Sequence, residues 1–303
     1  MAAVPARWQA DSALALVALV WGTTFVVVKG ALTQISTVYF LSLRFTLASL
    51  CMLIIFLPAF RRLRTKELTA GLRSGAGAGC FLWLGYMLQT FGLKYTSAGN
   101  SGFLTGLYIV LVPMLVAVIY RRLPAKAELI GLTLASAGMV LMTLPEGSSR
   151  LQVNVGDVLT LGCAVAFAFH LLALGRASKR HAFEAVALGQ IACAAALSGV
   201  SLAVEHPVAR WNLGVVMAII LTAVFATAMA FALQTWGQKY TTPTRTAVIF
   251  ALEPVFALVT AVAFGEPLRA AALIGGGLIL AGILAVELKP KNAASALGSI
   301  LST

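Results

Sequence analysis

Charge is what this sequence has least of. Only 11% of its 303 residues are charged and just ten are Asp or Glu, where soluble domains carry about 25% charged residues. So few charges cannot solvate a globule of this size, which excludes an ordinary water-soluble domain. Histidine is scarce as well: His181 and His206 fall in loops, and His170 lies inside an apolar run. Neither H-E-x-x-H nor G-x-S-x-G occurs, so no zinc-peptidase helix or hydrolase elbow is encoded and no enzyme is expected. The four cysteines, Cys51, Cys80, Cys163 and Cys193, make no C-x-x-C pair. They read as small apolar side chains, with no disulfide framework, metal site or cofactor implied. A small-residue cleavage site is missing after MAAVPARWQADS, so the first apolar run reads as a retained span.

What is present is apolar. Hydrophobic residues make up 60% of the chain and the mean hydropathy is +0.94. A spanning helix needs about 20 mostly apolar residues. Ten stretches qualify: 12–31, 37–58, 73–93, 98–120, 127–144, 156–176, 184–204, 213–236, 243–264 and 270–288. The expected fold class is an all-α integral membrane protein of ten transmembrane helices. The net charge of +12 would suggest nucleic acid in a soluble protein, but here the basic residues sit in short loops without interleaved aromatics. The lipid bilayer is the partner, not nucleic acid. Counted over the loops, sixteen Lys and Arg fall on one side and five on the other, with Arg44 inside the second span. That asymmetry predicts both termini in the cytoplasm, with 289–303 as a cytoplasmic tail.

One stretch occurs twice. Leu88 to Thr96 read LQTFGLKYT and Leu233 to Thr241 read LQTWGQKYT, seven of nine positions being identical. Each copy closes one apolar run and opens the next, so the chain divides into two five-helix units, 12–144 and 156–288. With ten spans, Lys94 and Lys239 fall on opposite membrane faces, because five is odd. The second unit is therefore expected to be inverted, an arrangement of secondary transporters with a midplane site between the halves.

Several motifs fall into a known order at this point. Trp21-Gly22-Thr23-Thr24-Phe25, Arg44-Phe45, the Tyr95-Thr96-Ser97-Ala98 and Tyr240-Thr241-Thr242-Pro243 turns, Pro113, Glu253-Pro254 and Gly265-Glu266-Pro267-Leu268 follow one another along residues 12–289. Together they resemble the EamA-type drug/metabolite transporter superfamily, and within it the aromatic amino-acid exporters of the YddG kind. The first half departs from the pattern, with Arg121-Arg122-Leu123-Pro124 where the second has GEPL. The resemblance implies an inner-membrane, multi-pass exporter of amino acids or related small metabolites. Drugs or other metabolites as cargo, or a non-transporting scaffold, are the alternatives.

Read for their own chemistry, the buried ionisable residues come first, since each is costly in lipid unless paired or wetted. Glu253 suits a substrate ammonium, a proton relay or a structural cap beside Pro254. Arg44 suits a substrate carboxylate, an ion pair with Glu253, or an anchor at the interface. His170, on one face with Phe167, is a donor between helices or a pathway group, and through it and Glu253 proton coupling stays open. Polar residues then recur at helical spacing: Asn100, Ser101, Thr105 and Tyr108 in the fourth span, Thr246 with Glu253 in the ninth. Trp83, Tyr86 and Gln89 follow at steps of three in the third, and Trp21 and Thr24 belong to the first. These residues are expected to line a substrate pathway. Arg44, Pro113 and Pro254 are expected to be structural or gating, the prolines by removing a helical hydrogen bond. Pro113 lies 17 residues past Thr96 and Pro254 lies 13 past Thr241, which predicts kinks at unequal depths.

Overall fold

The computed structural model describes residues 7–96, 98–121, 125–143, 154–263 and 270–287; within these, the side chains at 7, 25, 26, 98–100, 103, 142, 143, 261, 286 and 287 lie outside the description. The GEPL motif at 265–268 and the tail 289–303 lie outside it too. Among the described residues the chain is almost entirely helical, with no strand longer than an isolated bridge. Its elements are α1 (Arg7–Ala31), α2 (Thr37–Phe60), α3 (Thr65–Tyr95), α4 (Ala98–Gly106), α5 (Tyr108–Tyr120), α6 (Lys126–Thr143), α7 (Val155–Arg180), α8 (Phe183–Ser201), α9 (Leu213–Ala223), a π-helical segment (Val224–Met229), α10 (Ala230–Tyr240), α11 (Pro243–Phe250), α12 (Leu252–Ala263) and α13 (Ala270–Glu287).

Among the described residues six stretches are long and apolar enough to cross a membrane: Trp8–Ala31, Thr37–Phe60, Val155–Arg180, Phe183–Ser201, Leu213–Tyr240 and Pro243–Thr260. Shorter apolar helices cover Leu104–Tyr120 and Ala270–Ala285. Their outer faces are apolar where a soluble protein would be charged. Ile54 and Ile55 on α2, Val118 on α5 and Ile274 on α13 are all at least 60% exposed, as a lipid-facing surface requires.

Inside, close backbone approach does much of the packing. A side chain at Gly75 or Gly79 would strike the carbonyls of Val186 or Gln190, so α3 lies tightly on α8. Gly138 and Gly282 do the same for α6 and α13. This is the small-residue packing of helices in lipid, where no hydrophobic drive favours helix over tail. The main pairings are α6 with α13, α3 with α7 and α8, α2 with α8, and α1 with α10 and α12.

The bundle has two recognisable ends. At the distal end, where α1 finishes, Ile35 bridges to Ala209, Val38 N–H donates to Glu205 at 2.7 Å, and Lys94 lies 3.9 Å from Glu205. At the proximal end, where α1 begins, Arg245 of α11 reaches Asp11 at 2.8 Å. LQTFGLKYT therefore closes at the distal end and LQTWGQKYT at the proximal end.

The helix breaks correct the expectation of unequal depths. The chain breaks at Leu107 between α4 and α5 and at Ala251 between α11 and α12. These points lie eleven residues past Thr96 and ten past Thr241, nearly equivalent places in the two copies. Ala251 sits one residue from Phe250, the residue whose carbonyl Pro254 cannot engage, so that break follows the proline. Pro113 instead rides inside α5, and the first break comes well before it.

Candidate functional site

The site is assembled around a widened turn. Residues Val224–Met229, sequence VFATAM, form a π-helix, in which Thr227 Oγ1 donates to the Thr222 carbonyl at 2.8 Å. Such turns redirect backbone groups and recur at functional sites. Here the Ala226 carbonyl accepts from Trp21 Nε1 of α1 at 2.9 Å and from Arg44 Nη2 of α2 at 3.3 Å. Arg44 Nε also donates to Thr227 Oγ1 at 2.6 Å, and Nη2 to the Tyr86 hydroxyl at 3.3 Å. Its guanidinium carbon stands 4.8 Å from the centre of the Tyr86 ring, within cation–π range. Arg44 is only 4% exposed, yet no salt bridge joins it to Glu253 or to any other carboxylate among the described residues. The ion pair that the sequence left open is not formed.

The two helix breaks present the next groups. Tyr108 opens α5 and Glu253 stands in the first turn of α12. A carboxylate there faces the positive end of the helix dipole. Gly22 makes room for this turn, since any side chain would collide with the Glu253 carbonyl. Trp21, one residue earlier, packs on Phe231 at 5.3 Å and on Phe250 at 5.1 Å between ring centres.

Between these elements lies a cavity of about 70 Å³, narrower than the usual small-molecule site. It brings together most of the residues expected from sequence: Trp21, Thr24, Tyr86, Gln89, Thr105, Tyr108, Phe167, His170 and Glu253 all line it. Arg44, expected to be structural or gating, lines it too. Gln89 Nε2 donates to Thr105 Oγ1 at 3.1 Å, tying α3 to α4 across the wall. Thr24 turns its hydroxyl back to the Val20 carbonyl at 3.0 Å.

Three expected residues are elsewhere. Trp83 packs among the hydrophobic residues around α2, α3 and α8 rather than on the cavity. Ser101 is fully buried away from it. Thr246 is also buried and returns its hydroxyl to the Thr242 carbonyl at 3.0 Å, satisfying its own helix. Helical spacing set these residues on a common face with true lining groups, but a cavity wall is narrower than a helix face. The side chain of Asn100 falls outside the described residues.

His170 is engaged as well as lining. Its Nε2 lies 2.8 Å from Gln190 Oε1, Gln190 Nε2 donates to Thr235 Oγ1 at 2.9 Å, and Thr235 donates to the Phe231 carbonyl at 2.6 Å. This chain of bonds ties α7, α8 and α10 together. Sequence reasoning missed Thr90, Phe231, Gln234 and Phe250 as lining residues. For Gln234 a signal existed, because it is the repeat counterpart of Gln89. The aromatics carried none, since an apolar residue in an apolar helix looks alike on every face.

A helical bundle with apolar outer faces and an internal cavity walled by polar and aromatic side chains defines a multi-pass membrane transporter. The comparisons name the family. The model of the EamA-like transporter family matches twice, at residues 8–144 and 154–288. The chain belongs to that family. It is 35% identical over 284 residues to an uncharacterized transporter of Archaeoglobus fulgidus, covering 93% of this chain and 87% of that one. It is 28% identical over 244 residues to the threonine/homoserine exporter RhtA of Escherichia coli, covering 79% of this chain and 78% of that protein. A solved crystal structure shares the fold with a TM-score of 0.78, at 20% identity, over 93% of this chain and 99% of that one.

Proposed function

We propose that this transporter is a secondary exporter of amino acids and related small metabolites in the inner membrane, working by alternating access. The observation that carries the reading is the central cavity, whose walls come from helices on both sides of the 144–154 division. A site shared between two halves is one that both ends of the bundle can reach in turn.

In this reading the ten stretches cross the bilayer and the units 12–144 and 156–288 are inverted repeats with both termini in the cytoplasm. The packing supports it, because exchanging the halves maps observed contacts onto observed contacts. The pairing of α3 with α7 becomes that of α10 with α1. The pairing of α4 and α5 with α7 becomes that of α11 and α12 with α1, while α6 with α13 maps onto itself. The proximal end is then cytoplasmic. Amino acids as cargo rest on the relation to a threonine/homoserine exporter and on the mixed polar and aromatic wall. The aromatic preference implied by the YddG-like motifs is consistent with Trp21, Tyr86, Phe167, Phe231 and Phe250 in that wall.

The test is counterflow of a labelled amino-acid panel into proteoliposomes, with and without a pH gradient. Saturable flux of at least one amino acid is expected. Flux for none of them redirects the reading to other metabolites, and flux indifferent to the gradient removes proton coupling.

A further inference from the structure

The cavity holds a guanidinium and a carboxyl group that are not spent on each other. Arg44 gives its Nε and Nη2 to a hydroxyl, a phenol and a carbonyl, all neutral. A guanidinium has five N–H donors, and Nη1 makes no hydrogen bond to any described residue. Glu253 lines the same cavity, and its carboxylate takes part in no salt bridge among the described residues. A third group waits beside them: Gln234 is fully buried on the cavity wall and its Oε1 has no donor. Burying a charge inside the membrane is expensive unless it is paired, and an orphaned buried acceptor is costly as well. A pocket in which a cation, an anion and an acceptor are all left open is complementary to something carrying the opposite set.

We infer that Arg44 and Glu253 are the two poles of a zwitterion site, Arg44 receiving the carboxylate and Glu253 the ammonium of an amino acid with an apolar side chain. This rests on the transport reading above and adds to it the groups that decide what is carried. The geometry gives each pole a reason to stay where it is. Arg44 is pinned by the widened turn at Ala226 and Thr227, leaving its Nη1 group to donate to a carboxylate. Glu253 stands at the start of α12, where the helix dipole favours an anion. Trp21 joins the two, bonded to the same carbonyl as Arg44 and next in sequence to the glycine that accommodates the Glu253 turn. Its ring, with Phe231 and Phe250, supplies the apolar surface for the side chain. A ligand with only one charge would satisfy one pole and leave the other buried and unpaired. Sites built this way reject analogues that lack one partner far more strongly than they reject a changed side chain.

The experiment is competition against labelled phenylalanine, and separately leucine, in counterflow by the full-length protein in proteoliposomes. The competitors are the corresponding des-amino acids, 3-phenylpropanoate and 4-methylpentanoate, and the decarboxylated amines, phenethylamine and isoamylamine. Wild type is expected to prefer each amino acid over both single-pole analogues by at least about tenfold, equivalent to ~1.4 kcal/mol. Arg44→Gln is expected to lose the preference over the amine while keeping that over the des-amino acid, and Glu253→Gln to do the reverse. An anchor with no ligand contact would lower all fluxes together without this crossed pattern. If phenylalanine and leucine move but compete no better than their analogues, the zwitterion site is wrong and the transport reading stands. If no amino acid in the panel moves, both fall. The wild-type comparison decides the matter even where a variant fails to fold.

Discussion

At the proximal end Asp11 receives two hydrogen bonds from one guanidinium, Arg245 Nε at 2.9 Å and Nη2 at 2.8 Å, with the arginine side chain 3% exposed. At the distal end Asp157 receives one from a hydroxyl, Thr96 Oγ1 at 2.6 Å, while its other oxygen accepts the Asn154 N–H at 3.1 Å. The two acids hold equivalent places. Gly92 of the first repeat copy packs on the Gly156 carbonyl and Thr160, and Gly237 of the second packs on the Ala10 carbonyl and Leu14. Ala10 thus answers to Gly156 and Leu14 to Thr160, so Asp11 answers to Asp157. One scaffold has placed an acid at each mouth and then given the two acids partners of different strength. A bidentate, buried arginine–carboxylate pair is costly to break, because both members are held largely out of water. A hydroxyl on a carboxylate is a single charge-assisted bond.

The cavity follows the same asymmetry. It extends to Val28, Thr90 and Leu93, towards the distal end. On the proximal side it stops near Leu171 and Gln234, where Gln238 Nε2 bonds to the Leu171 carbonyl at 3.1 Å. The structure is therefore most firmly closed where Asp11 and Arg245 meet.

The largest effect is expected from Arg245→Ala or Asp11→Asn. Arg245→Ala takes the guanidinium from a largely buried Asp11 carboxylate, and Asp11→Asn removes the charge that the guanidinium faces; each is expected to cost about 3–5 kcal/mol, read as a fall in the thermal unfolding midpoint in detergent. The double variant Asp11→Asn, Arg245→Ala is expected to be less harmful than the sum of the singles, because the stranded charge is gone. Additive losses would show that the pair does not act as a unit. Next comes Thr96→Val at the equivalent distal contact, expected to cost about 1.5–3 kcal/mol for a bond to a charged acceptor. A loss as large as that of Arg245→Ala would erase the contrast between the ends.

The repeat glycines differ in the same direction. A Cβ at Gly92 would stand 2.5 Å from Thr160 Oγ1 and 3.0 Å from the Gly156 carbonyl, part of it immovable backbone. At Gly237 it would meet the Leu14 side chain at 3.0 and 3.1 Å, which has rotamers to spare. Gly92→Ala is expected to cost about 1–3 kcal/mol by overpacking and Gly237→Ala less. The smallest effect belongs to Lys94→Gln. Its contact with Glu205 is 3.9 Å long and its side chain 36% exposed, so at most about 1 kcal/mol is at stake. A raised salt concentration should remove even that.

Much of this architecture was legible in the sequence because lipid imposes long apolar runs and because LQTFGLKYT and LQTWGQKYT are nearly the same words. The family model matches the chain over 8–144 and 154–288. The lining groups were legible in part, where a polar or charged residue stands out from an apolar helix, as with Arg44, Gln89 and Glu253. What stayed hidden depends on rotation and on backbone detail. Nothing in VFATAM, with neither proline nor glycine, foretells a π turn, yet that turn sets Arg44 and Trp21. Trp83 and Tyr86 are three residues apart and only Tyr86 lines the cavity. Asp11 passed as a polar flank of the first run until its partner, 234 positions away, was placed beside it.

The most direct measurement is sidedness of access to the cavity. A cysteine at Thr90, with Cys51, Cys80, Cys163 and Cys193 replaced by alanine, is exposed to a membrane-impermeant thiol reagent from each side of oriented vesicles. Modification is expected from the distal side alone, with proximal modification appearing when Arg245→Ala is added. Modification from both sides in the parent protein, or no change on adding Arg245→Ala, would contradict it.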